Sequence, residues 1–176
     1  MEERTQSLSK PVKVGLIIGV LYCVLIYCQD QFFYGNPLQF ASTKLFCYLI
    51  ILAGIFVAGY LRKKELGGYI TFQEALRTML LVIAILELFY VIFSTVYIEY
   101  INPHFFDNMR TAWQDFFTRN GVSSENLKVR MDEFKDAGKI TIGGLIKSYG
   151  FSIIIDSVFA VVFALILKKN PPVTEY

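Results

Sequence analysis

Charge is scarce in this 176-residue chain: Asp, Glu, Lys and Arg supply 18% of it, against roughly 25% in ordinary soluble domains. What charge there is nearly cancels, with 17 Lys and Arg to 15 Asp and Glu. No basic face therefore points to nucleic acid. Histidine is represented once, by His104, so no His-rich ligand cluster can form. The chain also lacks an H-E-x-x-H helix, a Gly-rich phosphate cradle and a nucleophile elbow. Its three cysteines, Cys23, Cys28 and Cys47, form no C-x-x-C pair, which argues against thiol-redox chemistry. These gaps predict a protein with no enzymatic role and no cofactor or metal.

What remains is apolar. Hydrophobic residues make up 55% of the chain and the mean hydropathy is +0.47, which excludes disorder, a disulfide-built secreted module and a collagen-like fibre. The length allows one domain, 1–176. Four continuous apolar runs, at about 12–32, 42–61, 75–98 and 145–167, each reach the roughly 20 residues a membrane-crossing helix needs. They are unbroken rather than alternating, so they read as helices and not barrel strands. The first has a basic flank but no small-x-small cleavage site, and a lipoprotein-type cut before Cys23 or Cys28 would follow bulky Tyr22 or Tyr27. It reads as an uncleaved anchor. Within such helices the thiols read as soft packing residues; a Cys28–Cys47 disulfide near the outer surface is the lesser alternative.

Basic residues orient the spans. Arg62-Lys63-Lys64 and Lys168-Lys169 abut their helices on the side that also holds Arg4, Lys10 and Lys13, whereas the first opposite loop offers only Lys44. The expected topology has both termini in the cytoplasm. Aromatic residues then fall at headgroup level, among them Phe32, Phe33 and Phe40 outside, Tyr97 and Tyr100 at the end of the third span, and Tyr60 and Tyr69 inside.

Between spans three and four lies the one sizeable polar region. Asn102-Pro103 predicts a helix cap and first helical residue. Phe105, Phe106, Met109, Trp113, Phe116 and Phe117 then recur at helical spacing opposite Asp107, Arg110, Asp115 and Arg119. Asn120-Gly121 stops that helix, and Ser123 or Ser124 starts a second with Leu127, Met131 and Phe134 on one face, ending near Gly138. The fold class expected is all-α: an integral membrane four-helix bundle carrying an extracytoplasmic amphipathic hairpin over about 102–138. Its aromatic face either packs on the bundle or the bilayer surface, or docks a partner.

Helices in lipid associate where small residues let backbones approach. Gly15, Gly19 and Cys23 in the first span and Gly54 and Ala58 in the second are spaced for this. In the fourth, Gly144, Ser148, Ser152, Asp156, Ala160 and Ala164 form a row that drifts about 40° per step. It suits either an intramolecular crossing or a homo-oligomer. Two carboxylates, Glu87 and Asp156, sit near mid-span at roughly 2.5–3.5 kcal/mol each if exposed to lipid, so both should face the bundle interior. Tyr90, Ser94 and Tyr97 extend a polar line from Glu87, and Ser152 precedes Asp156 by a turn. With no cation at that depth, at least one acid is expected to be neutral at pH 7 and to donate a hydrogen bond. The pair then serves either as glue between helices or as a proton or cation relay. Expected partners are the lipid bilayer and a second copy or another membrane protein, not nucleic acid.

The run Gly67-Gly68-Tyr69-Ile70-Thr71-Phe72-Gln73-Glu74-Ala75-Leu76 resembles the opening of the third span in the bacterial family called domain of unknown function 4199. The likeness continues through Tyr100-Ile101-Asn102-Pro103, Gly121-Val122-Ser123 and Lys168-Lys169, covering nearly the whole chain. The resemblance implies a small four-span inner-membrane protein of Gram-negative bacteria with no assigned activity, so no catalytic residue carries over. Physically, Gly67-Gly68 breaks the chain after a basic run, and Thr71 with Glu74 has the spacing of a capping box.

Overall fold

Apolar runs this long can bury their backbone polar groups only by helical hydrogen bonding, and the computed structural model, which describes residues 2–132 and 141–170, is helical throughout its long elements. Among the described residues six α-helices follow in order: α1 (Glu2–Phe32), α2 (Pro37–Glu65), α3 (Phe72–Val96), α4 (Phe105–Arg119), α5 (Ser124–Asp132) and α6 (Ile142–Leu167). Four of them, α1, α2, α3 and α6, are long and apolar enough to cross a membrane. They make a multi-pass membrane protein. The bundle has a terminal end, where α1 begins and α6 finishes, and a hairpin end, where α4 and α5 sit.

Local chemistry sets the helix ends. Asn36 accepts hydrogen bonds from the Leu38 and Gln39 amides through its side chain, with Pro37 as the first helical residue of α2. That pairing satisfies amides the helix leaves orphaned. At its other end α2 closes with bonds from Gly67 N to Lys64 O and from Gly68 N to Lys63 O. Gly67 and Gly68 adopt φ of +74° and +90°, a conformation that a Cβ disfavours. The capping box forms as expected: Glu74 N donates to Thr71 Oγ1 and Thr71 N donates to Glu74 Oε2. Between these two devices Ile70 exchanges a pair of backbone bonds with Lys169, at 3.0 and 2.9 Å. This clamp ties the α2–α3 turn to the end of α6, and Lys169 also lies over the Tyr69 ring.

α3 is the hub, packing against α1, α2 and α6. Gly15 and Gly19 of α1 admit Ile85 and Phe89 of α3, and Gly54 of α2 admits Ile18 of α1. Gly59, which the small-residue spacing alone did not single out, takes the Leu167 and Met79 side chains. Ala58, Ala160 and Ala164 are buried in the same core with Ile55, Met79 and Ile83. The long row on α6 divides. Asp156, Ala160 and Ala164 are buried, Ser152 is half-buried, and Gly144 and Ser148 are exposed. Large apolar side chains such as Ile17, Leu38, Ile146 and Ile166 point outward, the surface a lipid-facing bundle needs.

The hairpin end departs from expectation in two respects. Asn102 and Pro103 do not begin a helix: α3 widens into a π-helical turn over Tyr97–Ile101, and α4 starts only after His104. Asn102 is occupied elsewhere, its amide donating to Tyr97 O and its side chain to the Tyr97 hydroxyl. Tyr97 is also no headgroup anchor. It is buried among Phe93 and Phe105, and Gln31 donates to its hydroxyl at 3.2 Å. Burial of a tyrosine is tolerable once its hydroxyl is bonded in this way. Gly121 stops α4 at φ +73°, and α5 starts at Ser124; Phe134 and Gly138, read as the end of the second helix, lie outside the described residues.

Candidate functional site

Each carboxylate is fixed by the helix that carries it. Glu87 lies on the buried face of α3, in line with Val82, Ile83 and Leu86, and Asp156 lies on the buried face of α6, one turn from Ala160. Their exposures are 4% and 2%. α3 packs against α6, which brings the two acids close enough to interact electrostatically, with Ser152 half-buried one turn before Asp156. α2 contributes Tyr48, whose hydroxyl donates to Asp156 Oδ1 at 2.7 Å. α1 contributes Tyr22, stacked on Tyr90 of α3 with ring centroids 5.5 Å apart. All four spans thus supply a polar group to one cluster at the bundle centre.

One oxygen of each acid, Glu87 Oε2 and Asp156 Oδ2, is buried without a hydrogen-bond partner. An unsatisfied buried oxygen costs about 1–3 kcal/mol, so the pair holds unused acceptor capacity. Toward the terminal end the cluster is closed by Ile51, Ile55, Met79, Val82 and Ile83, each at 0–1% exposure. Toward the hairpin end it opens. A cavity of about 550 Å³ begins at Tyr22, Tyr48 and Tyr90 and runs out past Ser94 to Phe105, Phe106 and Met109 of α4. Asp30 and Lys44 are its charged lining groups. The result is a half-open vestibule with α4 across its hairpin end and the exposed residues Ala41, Lys44 and Leu45 of α2 along its side.

The roof is fastened by the aromatic face read from the sequence. Trp113 donates its indole N–H to Tyr34 O at 2.8 Å and packs edge-on against Phe40. Phe105 and Met109 are buried against the end of the bundle. Phe106 is half-buried beside Phe105, while Phe116 and Phe117 pack edge-to-face with Arg130 of α5 over the second ring. Ser94, read as part of a polar line, donates back to Val91 O in its own helix while lining the vestibule. Cys23, Cys28 and Cys47 are free thiols.

Of the polar residues singled out beforehand, Glu87, Tyr90, Ser152 and Asp156 come together and Ser94 stands one to two turns outward. Tyr22 and Tyr48 were missed. Each is an isolated aromatic in an apolar run, and only the tertiary approach of α1 and α2 gives Tyr48 its bond to Asp156 and Tyr22 its stack on Tyr90. Asp30 was missed too, because it stands near the end of the first run and not at the mid-span depth that singled out Glu87 and Asp156.

The chain is thus a four-span membrane bundle with a glycine turn between α2 and α3, α4 across its hairpin end and an acid pair at its centre. The family model described as "Protein of unknown function (DUF4199)" matches residues 13–169. The chain belongs to that family. Nothing matches it among curated proteins or among solved structures.

Proposed function

We propose that this is a non-enzymatic accessory protein of the bacterial inner membrane, with both termini cytoplasmic, that works by binding a partner or ligand at its hairpin end. The observation that carries this reading is the vestibule. It is built from three spans with α4 across its hairpin end, and its inner end is the tyrosine and acid cluster, behind which lies a packed apolar core. Such a shape receives and holds. The basic residues at the terminal end, Lys10, Lys13, Arg62, Lys63 and Lys64, support the orientation. A photo-crosslinker placed at Phe106 tests the role: capture of a discrete envelope protein supports it, and capture of phospholipid alone contradicts it.

One observation favours a second reading, a small oligomeric proton-coupled carrier. Glu87 and Asp156 are buried together with unused oxygens facing no partner, as groups that load and unload a proton would be. Against it stands the closed core on the terminal side. The variants Glu87→Gln and Asp156→Asn separate the two. Normal protein level with lost proton or cation flux in sealed vesicles supports the carrier, and an absence of flux in the parent protein removes it.

A further inference from the structure

The terminal end carries a second pocket, unrelated to the acid pair. It has a volume of about 440 Å³ and lies between the start of α1 and the end of α2. Lys10 and Lys13 come from one helix, Arg62, Lys64 and Glu65 from the other. The floor is apolar, made by Val14, Ala58 and Leu61. Four cations therefore face one carboxylate around a greasy base. Glu65 is already engaged by Lys10 at 3.3 Å and Arg62 at 3.1 Å. Among the described residues, no carboxylate bridges Lys13 or Lys64.

We propose that this pocket is a binding site for one anionic phospholipid. Its cations stand where the apolar runs of α1 and α2 begin and end, which is headgroup depth. Lys13 and Lys64 take the phosphodiester, and Val14, Ala58 and Leu61 take the first part of an acyl chain. Charge complementarity selects an anionic over a zwitterionic headgroup, and juxtamembrane basic clusters gain affinity in this way. The apolar floor selects a lipid over a free phosphate ion. Glu65, at the end of α2, joins the two helices at the mouth through Lys10 of α1, while its bond to Arg62 lies within α2.

The test uses the full-length protein purified in an uncharged detergent. Thermal unfolding is followed while phosphatidylglycerol, phosphatidylcholine or inorganic phosphate is added at constant ionic strength. Phosphatidylglycerol should raise the midpoint in a saturable way, and the other two should not. The double variant Lys13→Gln/Lys64→Gln, altered at two exposed positions, should weaken phosphatidylglycerol binding roughly 30-fold. Arg110→Gln/Arg119→Gln at the hairpin end should leave it unchanged. An equal rise with phosphatidylcholine or with inorganic phosphate, or unaltered binding in the Lys13/Lys64 variant, overturns the proposal. If that variant does not accumulate, retention of phosphatidylglycerol over phosphatidylcholine by the unaltered protein in native mass spectrometry decides the same question.

Discussion

A single hydroxyl links α2 to the acid pair. Tyr48 donates to Asp156 at 2.7 Å, and its removal leaves a buried carboxyl oxygen bare. Tyr48→Phe keeps the ring and its edge-on contact with Phe159 and deletes only that bond. The expected loss is about 1–3 kcal/mol of stability, read as a lower unfolding temperature in detergent. Trp113 offers a comparable test at the hairpin end. Trp113→Phe removes the indole donor to Tyr34 O while retaining apolar bulk. Amide exchange in α4 should then quicken by roughly tenfold, the equivalent of about 1.4 kcal/mol, with α3 unaffected. Residue roles of this kind were only half visible beforehand. Glu87 and Asp156 stood out because an acid is expensive in an apolar run, whereas Tyr22 and Tyr48 are common residues there and acquire meaning only from what they meet.

Helices in this bundle approach through missing side chains. A Cβ on Gly19 would lie 3.0 Å from Phe89 Cγ, and one on Gly59 would lie 2.8 Å from Leu167 Cδ1. Gly19→Leu forces α1 away from α3 and should cost about 1–3 kcal/mol or more through overpacking. Gly143, with open space around its Cβ position, should accept Leu with little change in the unfolding midpoint. Spacing in the sequence pointed to Gly15 and Gly19 on α1 and to Gly54 on α2, each of which lies against a neighbouring side chain, but it passed over Gly59, the tightest approach of all. It could not divide the α6 row. Whether Ser148 is covered depends on how far a neighbour follows α6 toward the hairpin end, and that is a property of helix crossing. The start of α4 was misplaced for a related reason: Asn102 has the composition of a cap, but the buried Tyr97 hydroxyl claims its side chain.

For the whole molecule, the number of spans and their helical character followed directly from hydropathy. Backbone groups in lipid have no alternative partner. Orientation rests on the placement of a few cations, and it has its own test. Cysteine introduced at Ser124, with the native thiols replaced, should react with a membrane-impermeant reagent on intact spheroplasts. Cysteine at Lys64 should react only after the membrane is opened. The reverse pattern would invert the topology and place the vestibule in the cytoplasm. Neither outcome alters the internal architecture, which depends on α3 packing against the other three spans.

That architecture holds two acids from different helices in one buried contact, and a double-mutant cycle measures the contact itself. Unfolding free energies of the parent, Glu87→Gln, Asp156→Asn and the double variant give the interaction between the sites. Residues in direct contact couple by about 0.5–3 kcal/mol, and the expected cycle is non-additive within that range. Additive effects, to within about 0.3–0.5 kcal/mol, would mean that Glu87 and Asp156 do not meet.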